Sequence, residues 1–288
     1  MNERITEALL EQFQKELEYE EKAKLTIEKY MRDIRKFYSF LPEKKMVTQE
    51  SVLAYKEYLK ENYSLTSANS MIVALNAFLE YGGWGDMRIR QFKIQKQFFC
   101  RADRFMTKSE YERLVEAAEK DGDWQLSLIM QTLCSTGIRI GELKYIDVEA
   151  VSAGFVNITQ KGKTRMVFLT KELTVMLQRF CRRSGIRRGP IFLSGEGTAI
   201  DRSVVWRKMK HLCKKAHVEG KKVFPHNLRH LFAFTFYRRH KDLLRLAEVL
   251  GHSSIETTRI YTVSTGKEHL QMLSKLGLIC RAQNVRNT

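Results

Sequence analysis

Several features are scarce in this 288-residue sequence, and each scarcity excludes something. Only three prolines interrupt the chain, so long helices are permitted. The five cysteines are odd in number and form no CxxC pair, which argues against a disulfide framework or a zinc site. No apolar run approaches the roughly 18 residues that a membrane-spanning helix needs. The N-terminal segment is charged throughout, unlike a secretory leader. These features predict a globular protein of a reducing compartment.

Acidic residues are also outnumbered, because 33 aspartates and glutamates face 50 lysines and arginines, for a formal net charge of +17. The excess is uneven: residues 1–104 carry a net charge of +2 and residues 105–288 carry the other +15. Such a balance favours a polyanionic partner, most often nucleic acid, and makes the second part the stronger candidate for holding phosphates. A basic surface that only aids solubility is the alternative.

The N-terminal third of the sequence shows helical periodicity. In LTIEKYMRDIRKFYSFL the apolar residues recur at three- and four-residue steps, which predicts an amphipathic helix with Arg32, Arg35 and Lys36 elsewhere on its surface. Thr48 is placed to cap a second helix, and SANSMIVALNAFLEYGGW predicts a third that ends at its glycine pair. We therefore expect a small helical bundle over residues 1–96.

A basic segment without clear periodicity follows, and we interpret residues 97–105 as a linker. Thr107 and Glu110 form a possible capping box at the start of the next helix. The stretch SLIMQTLCSTGIRIGELKYI predicts an apolar helix that is broken at a glycine and resumes as a short helix. FVNITQKGKTRMVFLT predicts a β-hairpin with Gly162 in the turn. We therefore expect residues 106–288 to form a mostly helical domain with a small β-sheet.

Six residues suit chemistry at a phosphodiester: Arg139, Lys161, His226, Arg229, His252 and Tyr261. Two arginines can hold both non-bridging oxygens of a phosphate by planar, bidentate hydrogen bonds. A lysine and two histidines can move protons there, and a tyrosine can attack the phosphorus and keep it as an ester. Cationic side chains can supply the charge stabilisation, so such a site needs no metal.

The first of these residues also have less specific explanations. Arg139 in TGIRIGEL can be oriented by Glu142, or the two side chains can form an ordinary surface ion pair. Lys161 lies at the hairpin tip QKGKTR, beside Lys163 and Arg165. It can protonate a leaving oxygen if neighbouring cations lower its pKa, or it can belong to a solvated basic turn.

The remaining candidates lie in two later segments. His226 and Arg229 in PHNLRH share one helix face, and no acidic or cysteine partner sits beside them at metal-ligand spacing. We interpret His230 as a structural histidine. His252 and Tyr261 lie in LGHSSIETTRIYTV, where the tyrosine is either a packed side chain or a nucleophile. Nearby cations favour its phenolate, and a histidine can take the proton.

Four ordered blocks together resemble the tyrosine recombinase (phage integrase) family, in particular its Xer-like site-specific recombinases. They are TGIRIGEL, QKGKTR, HNLRH and LGHSSIETTRIY. The helical N-terminal part is similar to that family's core-binding, SAM-like domain, so the resemblance covers the whole chain. One departure is Leu231, which follows HNLRH where many members have serine or threonine.

The resemblance implies a role for each matched residue. Tyr261 is the nucleophile, Arg139 and Arg229 bind the scissile phosphate, and Lys161 is the general acid toward the departing 5′ oxygen. His226 is an acid/base partner.

The resemblance also implies supporting roles around the phosphate. His252 forms a hydrogen bond to it, and Glu142 orients the arginine from behind. DNA contacts are implied for five basic side chains: Lys163, Arg165, Arg32, Arg35 and Lys36.

The architecture implied by the resemblance is mainly α-helical with a small β-sheet. An α-helical core-binding domain and an α+β catalytic domain form a C-shaped clamp around DNA. Strand exchange proceeds through a 3′-phosphotyrosine and a Holliday junction, without metal, ATP or other cofactor. A free monomer of the bacterial cytoplasm or nucleoid assembles as a homotetramer on two recombination sites. A C-terminal tail with an apolar stripe at Leu270, Leu273 and Leu276 is exchanged between the protomers.

Two other functions share parts of this pattern. A type IB topoisomerase uses the same cleavage chemistry but rejoins the same strand, and the N-terminal half and the C-terminal tail argue against it. A catalytically silent DNA-binding protein need not keep all six residues. The sequence leaves open the DNA site, and whether the protein serves integration, chromosome-dimer resolution or inversion.

Overall fold

The computed structural model describes residues 4–94, 104–160, 162–252, 254–261 and 274–276. The chain divides into two compact units, Met1–Lys96 and Gln97–Thr288. Among the described residues, no helix combines the length and the apolar character that crossing a membrane requires.

The described part of the first unit is a bundle of four helices. They are α1 (Glu7–Tyr19), α2 (Lys24–Phe40), α3 (Gln49–Asn62) and α4 (Leu65–Tyr81). The apolar face predicted for α2 is confirmed, because Ile27, Ile34 and Phe37 are buried in the core of the bundle. Thr48 caps α3 in a capping box with Ser51, so the predicted helix start is confirmed as well.

The segment after α4 stays attached to this bundle. The side-chain amide of Asn76 exchanges two hydrogen bonds with the backbone of Ile89, and Asn69 does the same with Phe92. Two asparagines on one helix therefore supply hydrogen-bond partners to an extended backbone segment that is not paired in a β-sheet. The first unit thus includes the chain at least as far as Phe92.

The second unit contains eight helices and one hairpin within its described residues. The helices are α5 (Lys108–Lys120), α6 (Trp124–Thr136), α7 (Val148–Ala153), α8 (Lys171–Arg183), α9 (Arg202–Leu212), α10 (Pro225–His240), α11 (Leu243–Leu250) and α12 (Ile255–Thr258). Short 3₁₀ helices cover Ile140–Tyr145 and Arg259–Tyr261. The hairpin pairs β1 (Phe155–Gln160) with β2 (Lys163–Phe168), antiparallel. The expected fold class, mainly α with a small β-sheet, is confirmed.

Helix α6 is the centre of the second unit. It packs against α5, α8, α9 and α10, and residues on most of its sides are buried, including Ile129 and Leu133. A helix that is apolar on nearly every side is stable only inside a core. It ends at Gly137, whose φ of +67° places it in the left-handed region, and the chain resumes as a 3₁₀ helix. The predicted break in this helix is therefore confirmed.

Candidate active site

Arg229 lies at the centre of the site, on α10, with 1% of its surface exposed. Its guanidinium donates hydrogen bonds to the backbone oxygens of Gly137 at 2.7 Å and Leu250 at 2.8 Å. Gly137 caps the C-terminal end of α6, and Leu250 is the last residue of α11. Carbonyls at helix ends lack intrahelical donors and carry the negative end of the helix dipole. Two helix ends therefore hold the cation in place.

The positive charge of Arg229 is only partly compensated. Its third partner is the imidazole of His252. The three acceptors, two backbone oxygens and this imidazole, carry no formal charge. Burial, aided by the charge of Arg139, lowers the pKa of Arg229 to about 10, against the opposing effect of Glu142. The group therefore stays protonated at neutral pH. Its Nε atom is buried without a hydrogen-bond partner in the described part of the chain. A buried cation in this state attracts an anion strongly.

Arg139 is held by a buried carboxylate. Glu142, which is 1% exposed, accepts a hydrogen bond from the backbone N–H of Arg139 at 2.7 Å and another from its Nη1 at 3.0 Å. The spacing of three residues at the start of the 3₁₀ helix makes both contacts possible. The Arg139 side chain remains 35% exposed, so it can still reach a ligand. Since Glu142 is buried, the two do not form the surface ion pair that the sequence also allowed.

Glu142 has a second arginine partner. Arg165 on β2 donates from Nη1 to Oε1 at 3.1 Å and from Nη2 to Oε2 at 2.7 Å. Burial alone raises the pKa of Glu142, but the hydrogen bonds from Arg165 and Arg139 outweigh it, and the net shift is downward. The carboxylate is therefore ionised and shared by both arginines. The prediction that Arg165 contacts DNA is untested, but its guanidinium is engaged inside the protein.

The hairpin tip is only partly described. Gly162 has a φ of +72°, as the predicted turn requires, and the hairpin itself is confirmed. Lys161 lies outside the described residues, and the backbone of Lys163 pairs with Gln160. The roles of both lysines stay predictions.

His252 follows α11 directly and joins the site through both ring nitrogens. Its Nε2 lies 2.9 Å from Nη2 of Arg229, and its Nδ1 lies 2.8 Å from the hydroxyl of Thr258. Arginine can only donate, so Nε2 accepts and Nδ1 carries the proton that is donated to Thr258. Burial and the charge of Arg229 lower the pKa of His252 to about 4. The imidazole is therefore neutral at pH 7.

Tyr261 is buried beside Arg229. Its exposed fraction is 5%, and it packs with Ala233, Leu246 and Leu250 of α10 and α11. Burial raises the pKa of its phenol, while the charges of Arg229 and Arg139 oppose the shift. In this arrangement the tyrosine is a neutral phenol that lies within reach of two cations.

Two histidines of α10 lie in a row that leads to Tyr261. The His230 ring lies 5.3 Å from the Tyr261 ring and 4.5 Å from the His226 ring, measured between centroids. His226 is the more accessible of the two, and partial burial of its ring, followed by the charges of Arg229 and Arg139, lowers its pKa. His230 packs as an aromatic side chain, in keeping with the structural role expected for it. Among the described residues no group of three or more potential ligands could hold a metal ion.

The predicted DNA contacts of the first unit lie together on α2. Arg32, Arg35 and Lys36 are all exposed on the side opposite the core. Arg32 contacts Asp33 at 3.3 Å, and Lys36 lies over the Tyr63 ring at 4.8 Å. This face is basic and accessible, and its contact with DNA remains a prediction.

The structure adds residues that motif reasoning missed. Thr258 fixes the tautomer of His252, while Gly137 and Leu250 present the carbonyls that hold Arg229. Thr258 lies three residues before the tyrosine, where a buried threonine gives no signal in the sequence. The glycine after each helix was the available signal, since a glycine in the left-handed region commonly ends a helix, and the last carbonyls of a helix lack intrahelical donors.

Comparison with known proteins agrees with this geometry. Residues 104–268 match the phage integrase family, and residues 9–82 match the phage integrase N-terminal SAM-like domain. Tyrosine recombinase XerA of Pyrococcus furiosus is 31% identical over 281 residues, covering 94% of each chain. The chain belongs to the phage integrase family, which confirms the predicted class of enzyme, a tyrosine recombinase of the Xer type.

Solved structures show the same fold. A crystal structure of XerA recombinase matches with a TM-score of 0.53 at 27% identity, covering 96% of this chain and all of that one (100%). A lambda integrase tetramer bound to a Holliday junction matches with a TM-score of 0.71 at 19% identity, covering 99% of this chain and 82% of that one. At such low identity the second likeness concerns the fold alone.

The packing of Gly251 leads to a stability prediction. This residue caps α11 at a φ of +64°, and a Cβ there would lie 2.7 Å from Cδ of Arg165. Gly154 caps α7 at a φ of +78° but has open space around it. Gly154→Ala should therefore cost about 1 kcal/mol of backbone strain. Gly251→Ala should cost at least about 1 kcal/mol more, because Arg165 must also shift off Glu142. Urea unfolding of the two variants measures the difference, and equal losses would show that the contact with Arg165 is unimportant.

Proposed function

We propose that this tyrosine recombinase cuts and rejoins double-stranded DNA at specific sites through Tyr261. The observation that carries the proposal is the convergence of a buried arginine, a second arginine on a buried carboxylate, and a tyrosine that packs against His230. The tyrosine recombinases among the relatives support recombination over the topoisomerase alternative.

The two arginines bind the scissile phosphate. Arg229 has an unpartnered Nε, and two helix ends hold its terminal nitrogens. Arg139 is oriented by Glu142 but keeps part of its side chain exposed. Guanidinium forks fixed in this way neutralise the charge that builds up on the non-bridging oxygens in the transition state. Since they are placed before the substrate arrives, little reorganisation is needed during the reaction.

Tyr261 then attacks the phosphorus. A bond forms between the phenolic oxygen and phosphorus, and the bond from phosphorus to the 5′ oxygen breaks, leaving a 3′-phosphotyrosine. The phenol must lose its proton, and neutral His226 is the acceptor that we assign, because it is accessible and beside the site. Lys161 delivers a proton to the departing 5′ oxygen. These protein groups carry the whole step, so we expect neither a metal nor ATP to be needed.

His252 changes its role when the phosphate arrives. In the free protein its Nε2 accepts a hydrogen bond from Arg229. A dianionic transition state nearby favours the protonated imidazole, which can then donate to a phosphate oxygen. Thr258 keeps the ring in the same orientation in both states, because its hydroxyl accepts from Nδ1.

Strand exchange requires several protomers. The free 5′-hydroxyl of one strand attacks the phosphotyrosine of the partner strand. One such exchange produces a Holliday junction, and a second round of cleavage and rejoining resolves it. The ester conserves the energy of the broken bond. We assign four protomers to two recombination sites, by analogy with the solved lambda integrase tetramer bound to a Holliday junction. We assign DNA binding to both units, with the basic face of α2 contributing from the first. The C-terminal tail expected to link protomers lies outside the described residues, apart from 274–276.

The nucleophile is tested by covalent trapping. A nicked suicide duplex of the recombination site should leave a denaturation-resistant adduct on its 3′ phosphate, even in excess EDTA. Tyr261→Phe removes only the attacking oxygen, so DNA binding should persist while the adduct disappears. Tyr237→Phe, which changes a neighbouring tyrosine of the same cluster, is the control and should form the adduct. An undiminished adduct in Tyr261→Phe would disprove the assignment.

The general acid is tested by changing the leaving group. A 5′-bridging phosphorothiolate leaves as a thiolate, which needs no proton. Lys161→Ala should therefore cleave ordinary DNA about 10²-fold or more slowly than wild type. It should cleave the phosphorothiolate substrate at nearly the wild-type rate. Single-turnover rates on both substrates provide the comparison. Equal impairment on both would make Lys161 a binding residue and direct the same test to Lys163.

A further inference from the structure

The side chain of Arg165 faces inward from the hairpin. On β2 its backbone pairs with that of Ile158, which is 1% exposed, and its own side chain is 14% exposed. The next residue on the strand, Met166, points the other way and is 48% exposed. This alternation follows from the pleat of the strand. Arg165 is therefore directed to the interior, although it belongs to a run of basic residues at the hairpin tip.

Arg165 joins three segments of the candidate site. Its two terminal nitrogens hold both carboxylate oxygens of Glu142, the same oxygens that bind Arg139. Its aliphatic stem lies against the backbone of Gly251, where a Cβ would be 2.7 Å from Cδ and 2.8 Å from Nη1. The residue after Gly251 is His252, which contacts Arg229. One side chain thus spans the hairpin, the Arg139 turn and the end of α11.

We propose that Arg165 is a positioning residue that does not bind DNA. It fixes the hairpin against two segments, the start of the 3₁₀ helix at Arg139 and Glu142, and the end of α11 at Gly251 and His252. This inference rests on the proposed function, because the residues that it aligns are the ones assigned to phosphate binding and proton transfer. Lys161, the general acid of the proposed function, lies four residues before Arg165 in the sequence. Among the described residues, the contacts of Arg165 align the hairpin with Glu142 and Gly251.

The shape of the guanidinium is essential to this role. A planar fork can hold two carboxylate oxygens at once, whereas an ammonium is a point charge that fixes only one direction. Lysine at this position therefore keeps the positive charge beside Glu142 but loses the alignment. Misplacement of catalytic groups by about 1 Å can cost on the order of 10²-fold in rate. Charge and geometry can consequently be separated by substitution.

The experiment compares binding with cleavage in Arg165→Met and Arg165→Lys. Arg165→Met should bind the site with the wild-type salt dependence and cleave bound suicide DNA about 100-fold more slowly. Arg165→Lys, which keeps the ion pair and with it the fold, should still cleave about 10-fold more slowly. Arg187→Met removes an exposed arginine of the same unit and should cleave at the wild-type rate. Thermal unfolding is measured beside each rate.

The outcomes separate this inference from the proposed function. If wild-type protein forms no adduct, the proposed function fails. If it does and Arg165→Lys cleaves at the wild-type rate, charge alone is sufficient and Arg165 does not position the site. If Arg165 contacted DNA instead, Arg165→Met would bind with a weaker salt dependence. The slope of the logarithm of the binding constant against the logarithm of salt concentration would fall by about 1, and the cleavage rate of the bound complex would be unchanged. Either of the last two results would overturn the inference.

Discussion

The burial of one guanidinium is the constraint on which the site depends. Arg229 is enclosed by neutral acceptors, and burying a charge in such surroundings costs free energy. This cost is reduced because α6 and α11 both direct their C-terminal carbonyls at the guanidinium. Each of these helices ends at a left-handed glycine, Gly137 or Gly251, beyond which the helical hydrogen bonding stops. The ends of two helices therefore meet at one arginine.

The same constraint arranges the groups around the phosphate position. The turn after Gly137 begins the 3₁₀ helix that carries Arg139 and its carboxylate partner Glu142. The turn after Leu250 brings His252 onto Arg229. Tyr261 packs beside Leu250 and is kept neutral by burial, so in the proposed mechanism its attack requires a base and a bound phosphate. Under that proposal the cations are fixed before substrate binding and the nucleophile is inactive until then, which limits random cutting of DNA.

The sequence predicted what local rules determine. Helix periodicity and caps located α2, α3 and α4, and the spacing of three residues between Arg139 and Glu142 predicted their contact. Long-range pairing was not predictable in this way. The resemblance implied a DNA contact for Arg165, which is untested, and gave no sign that its guanidinium binds Glu142. Only the register of the hairpin, which pairs it with a buried isoleucine, turns it toward Glu142, 23 residues away in sequence.

The central claim is that fixed arginines neutralise the charge of the scissile phosphate. A methylphosphonate at that position replaces one charged oxygen by a methyl group and removes the negative charge. The decisive measurement is the ratio of single-turnover cleavage rates for wild type and Arg139→Ala on the two substrates. The account predicts a ratio on the order of 10²–10³ on phosphate DNA, since one preorganised donor is lost, and a ratio near one on the neutral substrate. An equally large ratio on both would show that Arg139 serves folding or DNA binding and would contradict the account.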